Sequence, residues 1–281
     1  MGCSFPENSS NPRRKLHLTG YGNNLVSAIL SKRLPCSTSR DWGDTTEAML
    51  QHLREQVLEA NLELVRRNLV LYTFGNASGI SREEGLVVIK PSGVPYEQMK
   101  TEHLVVTDLE GRIVEGNLRP SSDLPTHLVL YREFAEIGGV AHTHSEYATA
   151  WAQARRPIPC FGTTHADYFH GPVPVTSEMT DQEIAENYEK NTGHAIVGSL
   201  FGTNPSATPG ALVANHGPFA WGENAGAAAH HAVILEAIAR MAYFTVGINA
   251  AAQPVRSALH NKHYLRKHGR NAYYGQTKDQ P

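Results

Sequence analysis

The chain has 281 residues, 41% of them hydrophobic, enough to bury one large core or two modest ones. Its 25 basic and 27 acidic side chains nearly cancel, so the charge balance asks for neither a nucleic acid nor an acidic membrane as partner. No uninterrupted apolar run reaches 18 residues, so no membrane span is expected. The cysteines Cys3, Cys36 and Cys160 form no CxxC or repeating pattern, which argues against a disulfide framework and makes a reducing cytoplasm the expected compartment.

Residues 1–43 are rich in Ser, Asn, Pro and Arg. Arg13-Arg14 precede an apolar segment, NNLVSAIL, too short and too polar at its start for an export signal, and MGCSFP fails the myristoylation pattern because residue 6 is Pro. Residues 1–48 therefore read as a flexible extension of unassigned role, ahead of one domain over 49–276 and a short tail at 277–281. From Asp44 the pattern sharpens: Asp44 and Glu47 make a capping box, and Leu50, Leu53, Val57, Ala60 and Leu64 form one apolar helix face.

After Asn68 the period shortens. LVLYTF (69–74), LVVIK (86–90) and the pair LVVTD and RIVEG read as strands, with a loop at Gly75–Gly79 and a turn at Glu110-Gly111. A helix opens at Ser122 or Asp123 with Pro125 in its first turn and runs through HLVLYREF. GGVAHTH reads as a strand, Tyr147–Ala154 as a short helix, and Thr180 with Glu183 as the capping box of a helix through about Lys190. ALVANHG is a strand and turn, Ala225–Phe244 a long alanine-rich buried helix, and the C-terminus is basic and aromatic. Mixed strands and helices with hairpins point to a single α/β domain of the three-layer type.

Fifteen histidines stand out in the composition. His142 and His144 are two apart on an expected strand, so both imidazoles project from one face. Alone, an HxH pattern is more simply a half-buried strand with two histidines on its polar side. His216 adds weight, because it closes ALVAN at a strand-to-turn position before Gly217. Three neutral imidazoles with an open fourth position form the donor set of a catalytic zinc site, whereas a structural site would call on cysteine. His230 and His231 are helix neighbours pointing about 100° apart and do not readily share an ion. His127, inside the amphipathic helix, is expected to be partly buried and hydrogen-bonded.

Gly75-Asn76, Lys90-Pro91-Ser92-Gly93 and Ser121-Ser122 share one chemistry. Gly lets backbone approach an anion, Ser and Asn supply uncharged donors, Lys90 adds a charge, and the serine pair opens a helix whose positive end favours anions. Each alone is a turn; together they form a candidate phosphate pocket. Asp123 is either a helix-start residue favoured by the dipole or a group that reaches a metal. Asp167, in GTTHADYF, and Tyr274 near the end are candidate acid–base groups.

From about Met49 to Gln276 the chain resembles the class II aldolase/epimerase superfamily, most closely its bacterial L-ribulose-5-phosphate 4-epimerase family. The resemblance rests on QVLEANLELVRRNLV, FGNAS, VIKPSGV, RPSSDLPTH, GGVAHTHS, GTTHADYF, NHGPFAWG and KHYLRKHGRNAYYGQ. It implies a three-layer α/β/α fold with a central, mainly antiparallel sheet. It also implies one divalent metal per subunit, Zn2+ before Mn2+ or Co2+, held by His142, His144 and His216 with Asp123 completing the site. Substrate contacts would come from Gly75, Asn76, Ser92, Gly93, Ser121 and Ser122, with Lys90 nearby. Asp167 and Tyr274 match the acid–base pair, with Tyr274 entering a neighbouring subunit of a homotetramer. The implied substrate is a phosphorylated pentulose. Two other readings compete: an aldolase of the fuculose-1-phosphate type, which places Glu where this chain has Asp123, and an adducin-like scaffold, for which eroded metal ligands are expected.

Overall fold

A computed structural model describes residues 42–275, with side chains from residue 47 onward; the expectations for residues 1–41 and 276–281 lie outside the described residues. Helix α1 (Trp42–Arg66) is followed by β1 (Asn76–Ser81), β2 (Leu86–Ile89), β3 (Val105–Asp108), β4 (Ile113–Glu115), α2 (Leu124–Glu133) and β5 (Gly139–His142). Then come α3 (Glu146–Gln153), α4 (Thr163–Ala166), α5 (Asp181–Ala185), α6 (Tyr188–Ser199), β6 (Gly210–Val213), β7 (Gly217–Gly222), α7 (Ala225–Ile248) and α8 (Ser257–His268). The seven strands form one sheet in the order β4-β3-β2-β1-β5-β7-β6, with every neighbouring pair antiparallel.

Side chains alternate across a strand, and this sheet sorts them by size. Ala77, Val88, Val106, Ala141 and Ala220 face one core shared with Val57, Leu64, Ala228 and Ala232 of α1 and α7. Their neighbours Val87, Ile89, Val105, Val140, Phe219 and Trp221 face the opposite core, shared with Leu128, Tyr131 and Ile196 of α2 and α6. Helices thus cover both faces, giving the three-layer α/β/α arrangement. The alanine face draws its helices in closely: a Cβ on Gly79 would sit 2.9 Å from Leu53 Cδ1 and 3.0 Å from Val57 Cγ2. Among the described residues α7 is the one helix long and apolar enough, by length and composition, to cross a membrane. Ala228, Ala229, Leu235, Ile238 and Ala239 on that helix are buried and join two of the domain's cores.

Four local expectations are corrected. LVLYTF is not a strand; the strand begins at Asn76, within the expected loop. Leu71, Tyr72 and Phe74 are exposed, and the left-handed backbone of Tyr72 and Gly75 interrupts extension, whereas the small residues ASGI fit the close-packed centre of the sheet. The box of Asp44 and Glu47 does not start α1, which already runs from Trp42. The box of Thr180 and Glu183 forms as expected, but the helix stops at Ala185; Asn187 turns left-handed (φ 57°) and a new helix begins at Tyr188. Finally, β5 ends at His142, so His144 lies beyond the strand.

Candidate metal centre

The site lies at one end of the sheet. His142 ends β5 and pairs with Asn76, the first residue of β1. His216 closes the turn between β6 and β7, Lys90 follows β2, and Asp123 precedes α2. Gly75 is required where the chain enters β1: its φ is +75°, and a Cβ there would meet Val70 Cγ1 at 2.8 Å and the His142 carbonyl at 2.9 Å.

Ring nitrogens of His142, His144 and His216 all lie within 4.8 Å of one another. His142 Nδ1 donates to the Pro218 carbonyl at 3.0 Å, which leaves its Nε2 as a lone pair, 3.2 Å from His144 Nε2. His216 Nδ1 is 3.3 Å from the Tyr188 hydroxyl, freeing its other nitrogen. Burial lowers the pKa of all three imidazoles, so they are neutral donors at pH 7. Convergent neutral nitrogens, with the outer edges of His142 and His216 held by other groups, fit a divalent cation. Asp123 forms no cap hydrogen bond with its own helix; instead its Oδ2 accepts from Asn76 Nδ2 at 2.6 Å. Burial opposes ionisation of this carboxyl; the positive charge of the neighbouring imidazoles in their protonated form and the Asn76 donor act the other way, and the pKa is lowered.

The three segments put forward for anion binding converge. Ser121 N–H donates to the Lys90 carbonyl at 2.9 Å and Ser92 N–H to the Arg119 carbonyl at 2.9 Å, which joins residues 90–93 to 119–122. Buried Lys90 donates to the Thr73 carbonyl at 3.1 Å and lies 4.8 Å from the Tyr96 ring centre. Its pKa is lowered by burial, partly countered by Asp123. A cavity of about 390 Å³ is lined by Gly75, Asn76, Lys90, Ser92, Gly93, Ser121, Ser122, Asp123, His142, His144 and His216. Those are all the residues that the sequence put forward for metal and substrate. Thr73, Phe74, Tyr188 and Glu189 also line it and were missed. Reading 180–190 as one helix hid the last two, and the left-handed tolerance of Asn187 was the available signal.

Asp167 and Tyr274 do not line this cavity. Asp167 caps the short helix α4 and is gripped by α8: Arg266 donates to it at 2.8 and 3.1 Å, and His263 Nδ1 lies at 3.0 Å. Burial would raise this carboxyl, but Arg266, His263 and Lys267 together hold it below the usual range. Tyr274 is exposed, with Arg266 and Lys267 cations 4.8 and 4.5 Å from its ring centre. His260 and His263 of α8 are both half-buried, His263 against Asp167 and His260 with its Nε2 2.8 Å from the Phe169 carbonyl.

Residues 55–243 match the family model for the class II aldolase and adducin N-terminal domain. The chain is 55% identical, over 227 residues, to the L-ribulose-5-phosphate 4-epimerase UlaF of Salmonella paratyphi B, covering 81% of this chain and all of that one. The protein of the same name from Salmonella typhi is 54% identical over the same spans. Among solved structures, an L-fuculose 1-phosphate aldolase superposes with a TM-score of 0.66 at 26% identity, covering 76% of this chain and 95% of that one. Escherichia coli YgbL, a putative aldolase/epimerase/decarboxylase, shares the fold with a TM-score of 0.62 at 21% identity, over 76% of this chain and 98% of that one. The chain belongs to the class II aldolase and adducin family, and within it to the L-ribulose-5-phosphate 4-epimerases.

Proposed function

We propose that the chain interconverts L-ribulose 5-phosphate and D-xylulose 5-phosphate by breaking and remaking the C3–C4 bond. The observation that carries this is the single cavity in which three convergent imidazoles and Asp123 adjoin a cluster of anion-binding groups. When bound, a divalent cation there supplies Lewis acidity, stabilising negative charge on the substrate's carbonyl and adjacent hydroxyl oxygens. His142, His144, His216 and Asp123 would hold it, with Zn2+ proposed before Mn2+ or Co2+.

Ser92, Gly93, Ser121 and Ser122 present donors for the phosphate, with Gly75, Asn76 and Lys90 beside them. Cleavage turns the C4 hydroxyl into an aldehyde, so that hydroxyl's proton passes to a base. The glycolaldehyde phosphate fragment turns while the phosphate donors retain it, and re-adds through its other face, taking a proton back on the opposite side. Asp167 and Tyr274 are the proposed proton-transfer pair. Both lie off this chain's own cavity, and the proposal brings Tyr274 in from a neighbouring subunit of a homotetramer. The proposed setting is the cytoplasm, in pentose catabolism such as that of arabinose.

The test is an assay of L-ribulose 5-phosphate with Zn2+, Mn2+ or Co2+, measuring D-xylulose 5-phosphate. Asp167→Asn and Tyr274→Phe are expected to cripple epimerisation and leave metal content intact; loss of metal in either would refute its assigned role. Free cleavage products without epimer would favour the fuculose-1-phosphate aldolase reading. Absence of stoichiometric metal, with no effect of chelator, would favour a scaffold.

A further inference from the structure

His142 rests its outer ring nitrogen on a backbone carbonyl, that of Pro218. His216 differs, because its outer nitrogen meets a side chain: Nδ1 lies 3.3 Å from the Tyr188 hydroxyl. Tyr188 is half-buried and lines the same cavity. The direction of this hydrogen bond decides what His216 can do. If the hydroxyl donates to Nδ1, the ring hydrogen sits on Nε2 and no lone pair is left for an ion. If Nδ1–H donates to the hydroxyl oxygen, Nε2 presents its lone pair. Only the second arrangement makes His216 a third ligand. Burial raises the pKa of the phenol, so the partner is a neutral hydroxyl at pH 7.

The place of that hydroxyl is fixed by the start of α6. Asn187 precedes Tyr188 in the left-handed region (φ 57°) and separates α5 from α6. Asn191 Nδ2 donates to the carbonyls of Glu183 and Glu186 at 2.8 and 2.5 Å, clasping the end of α5, and Thr192 Oγ1 donates to the Tyr188 carbonyl at 2.9 Å. Thr126, buried in the first turn of α2, donates from Oγ1 to the Glu189 carbonyl at 2.5 Å. A Cβ on Gly193 would meet Val129 Cβ at 2.7 Å, so α6 lies directly against α2. The helix start that carries Tyr188 is therefore braced on the helix start that follows Asp123.

We propose that Tyr188 is a positioning residue for the metal site. Its hydroxyl oxygen accepts the Nδ1 hydrogen of His216 and so holds that imidazole in the tautomer that leaves Nε2 free for the ion. Thr126, through the Glu189 carbonyl, keeps the hydroxyl in place. Asp123 and His216 are thereby tied through one packed helix pair. This rests on the metal reading above and adds to it a partner outside the ligand set.

The experiment measures Zn2+ affinity by competition with a chromophoric chelator for wild type, Tyr188→Phe and Thr126→Val. It adds proton NMR of the Co2+-loaded protein in water, where exchangeable imidazole N–H signals of the ligands are shifted clear of the rest, and the melting temperature of the metal-free protein. Tyr188→Phe keeps the ring and loses the acceptor. It is expected to bind Zn2+ about 10–100-fold more weakly, as removal of such outer partners does, and one shifted N–H signal should broaden or vanish through faster exchange with water. Thr126→Val should weaken binding in the same direction by less. Wild-type affinity in Tyr188→Phe overturns the inference. So does weakened binding with every N–H signal in place and a lowered melting temperature, the pattern of a merely structural role. If Tyr188→Phe does not fold, unchanged affinity and N–H signals in Thr126→Val overturn it. A wild-type chain that binds no Zn2+ overturns the metal reading and this inference with it. A wild-type chain that binds Zn2+ but forms no D-xylulose 5-phosphate overturns the proposed reaction alone, and the Tyr188 comparison still decides this inference.

Discussion

His165 sits 4% exposed beneath α8, its Nε2 2.9 Å from the Gly171 carbonyl, and burial pushes its pKa down to about 4. In the unfolded chain the same imidazole titrates near 6.5. Between these values the unfolded state carries a proton that the folded state refuses, so acid favours unfolding. The neutral form's contribution is fully present above about pH 6.5, fades as the pH falls, and stops changing below about 4. Each pH unit in that window is equivalent to about 1.4 kcal/mol, so acidification from pH 7.5 to 5 should remove about 2 kcal/mol through His165 alone. Replacing it with Gln keeps an amide donor for Gly171 and removes the titration. Urea unfolding of wild type and His165→Gln, in chelator and at fixed protein concentration, isolates this one group by difference. The gap between the two stabilities should shift by about 2 kcal/mol in the variant's favour at pH 5. Parallel stabilities at both pH values would show that the imidazole is not held neutral by burial.

Three other outcomes are expected. His144→Ala and His216→Ala should each lose stoichiometric metal, measured by elemental analysis, and nearly all epimerase activity, while far-ultraviolet circular dichroism stays unchanged. Gly79→Val should destabilise the chain by roughly 1–3 kcal/mol in urea, because the added carbons meet Leu53 and Val57; a neutral result would mean that α1 can move off the sheet. Lys90→Met should raise KM for L-ribulose 5-phosphate about tenfold or more, the size of a lost charge-assisted hydrogen bond, and an unchanged KM would remove Lys90 from phosphate binding.

Strand and helix signals were readable wherever a residue pattern had one physical cause. Leu86–Ile89 and Val105–Asp108 show β-branched runs, Gly111 supplies a left-handed turn, and Pro125 marks the start of α2. The failures have causes that lie outside their own windows. NASGIS has weak strand propensity, yet it forms β1 because α1 presses on Gly79 from one side and α2 covers Ser78 from the other. LVLYTF has strong propensity, yet it remains irregular where Tyr72 takes a left-handed backbone. The convergence of residues 75–76, 90–93 and 121–122 rests on non-local strand pairing and backbone bonds that no spacing encodes. The histidine trio was legible as a set, although His144 reaches its partners from beyond the strand rather than along it.

The size sorting across the sheet has a consequence for how this scaffold can change. The alanine and glycine face admits α1 and α7 so closely that one carbon added at Gly79 already meets Leu53 and Val57, and there is little room for gradual substitution. The opposite face carries branched and aromatic side chains, which can exchange volume with one another. Asn76 and Ser78 lie on that second face, with Asp123, His127 and Tyr131 above them. The candidate site is therefore written on the side of the sheet that can be re-edited, while the other side keeps the frame in register.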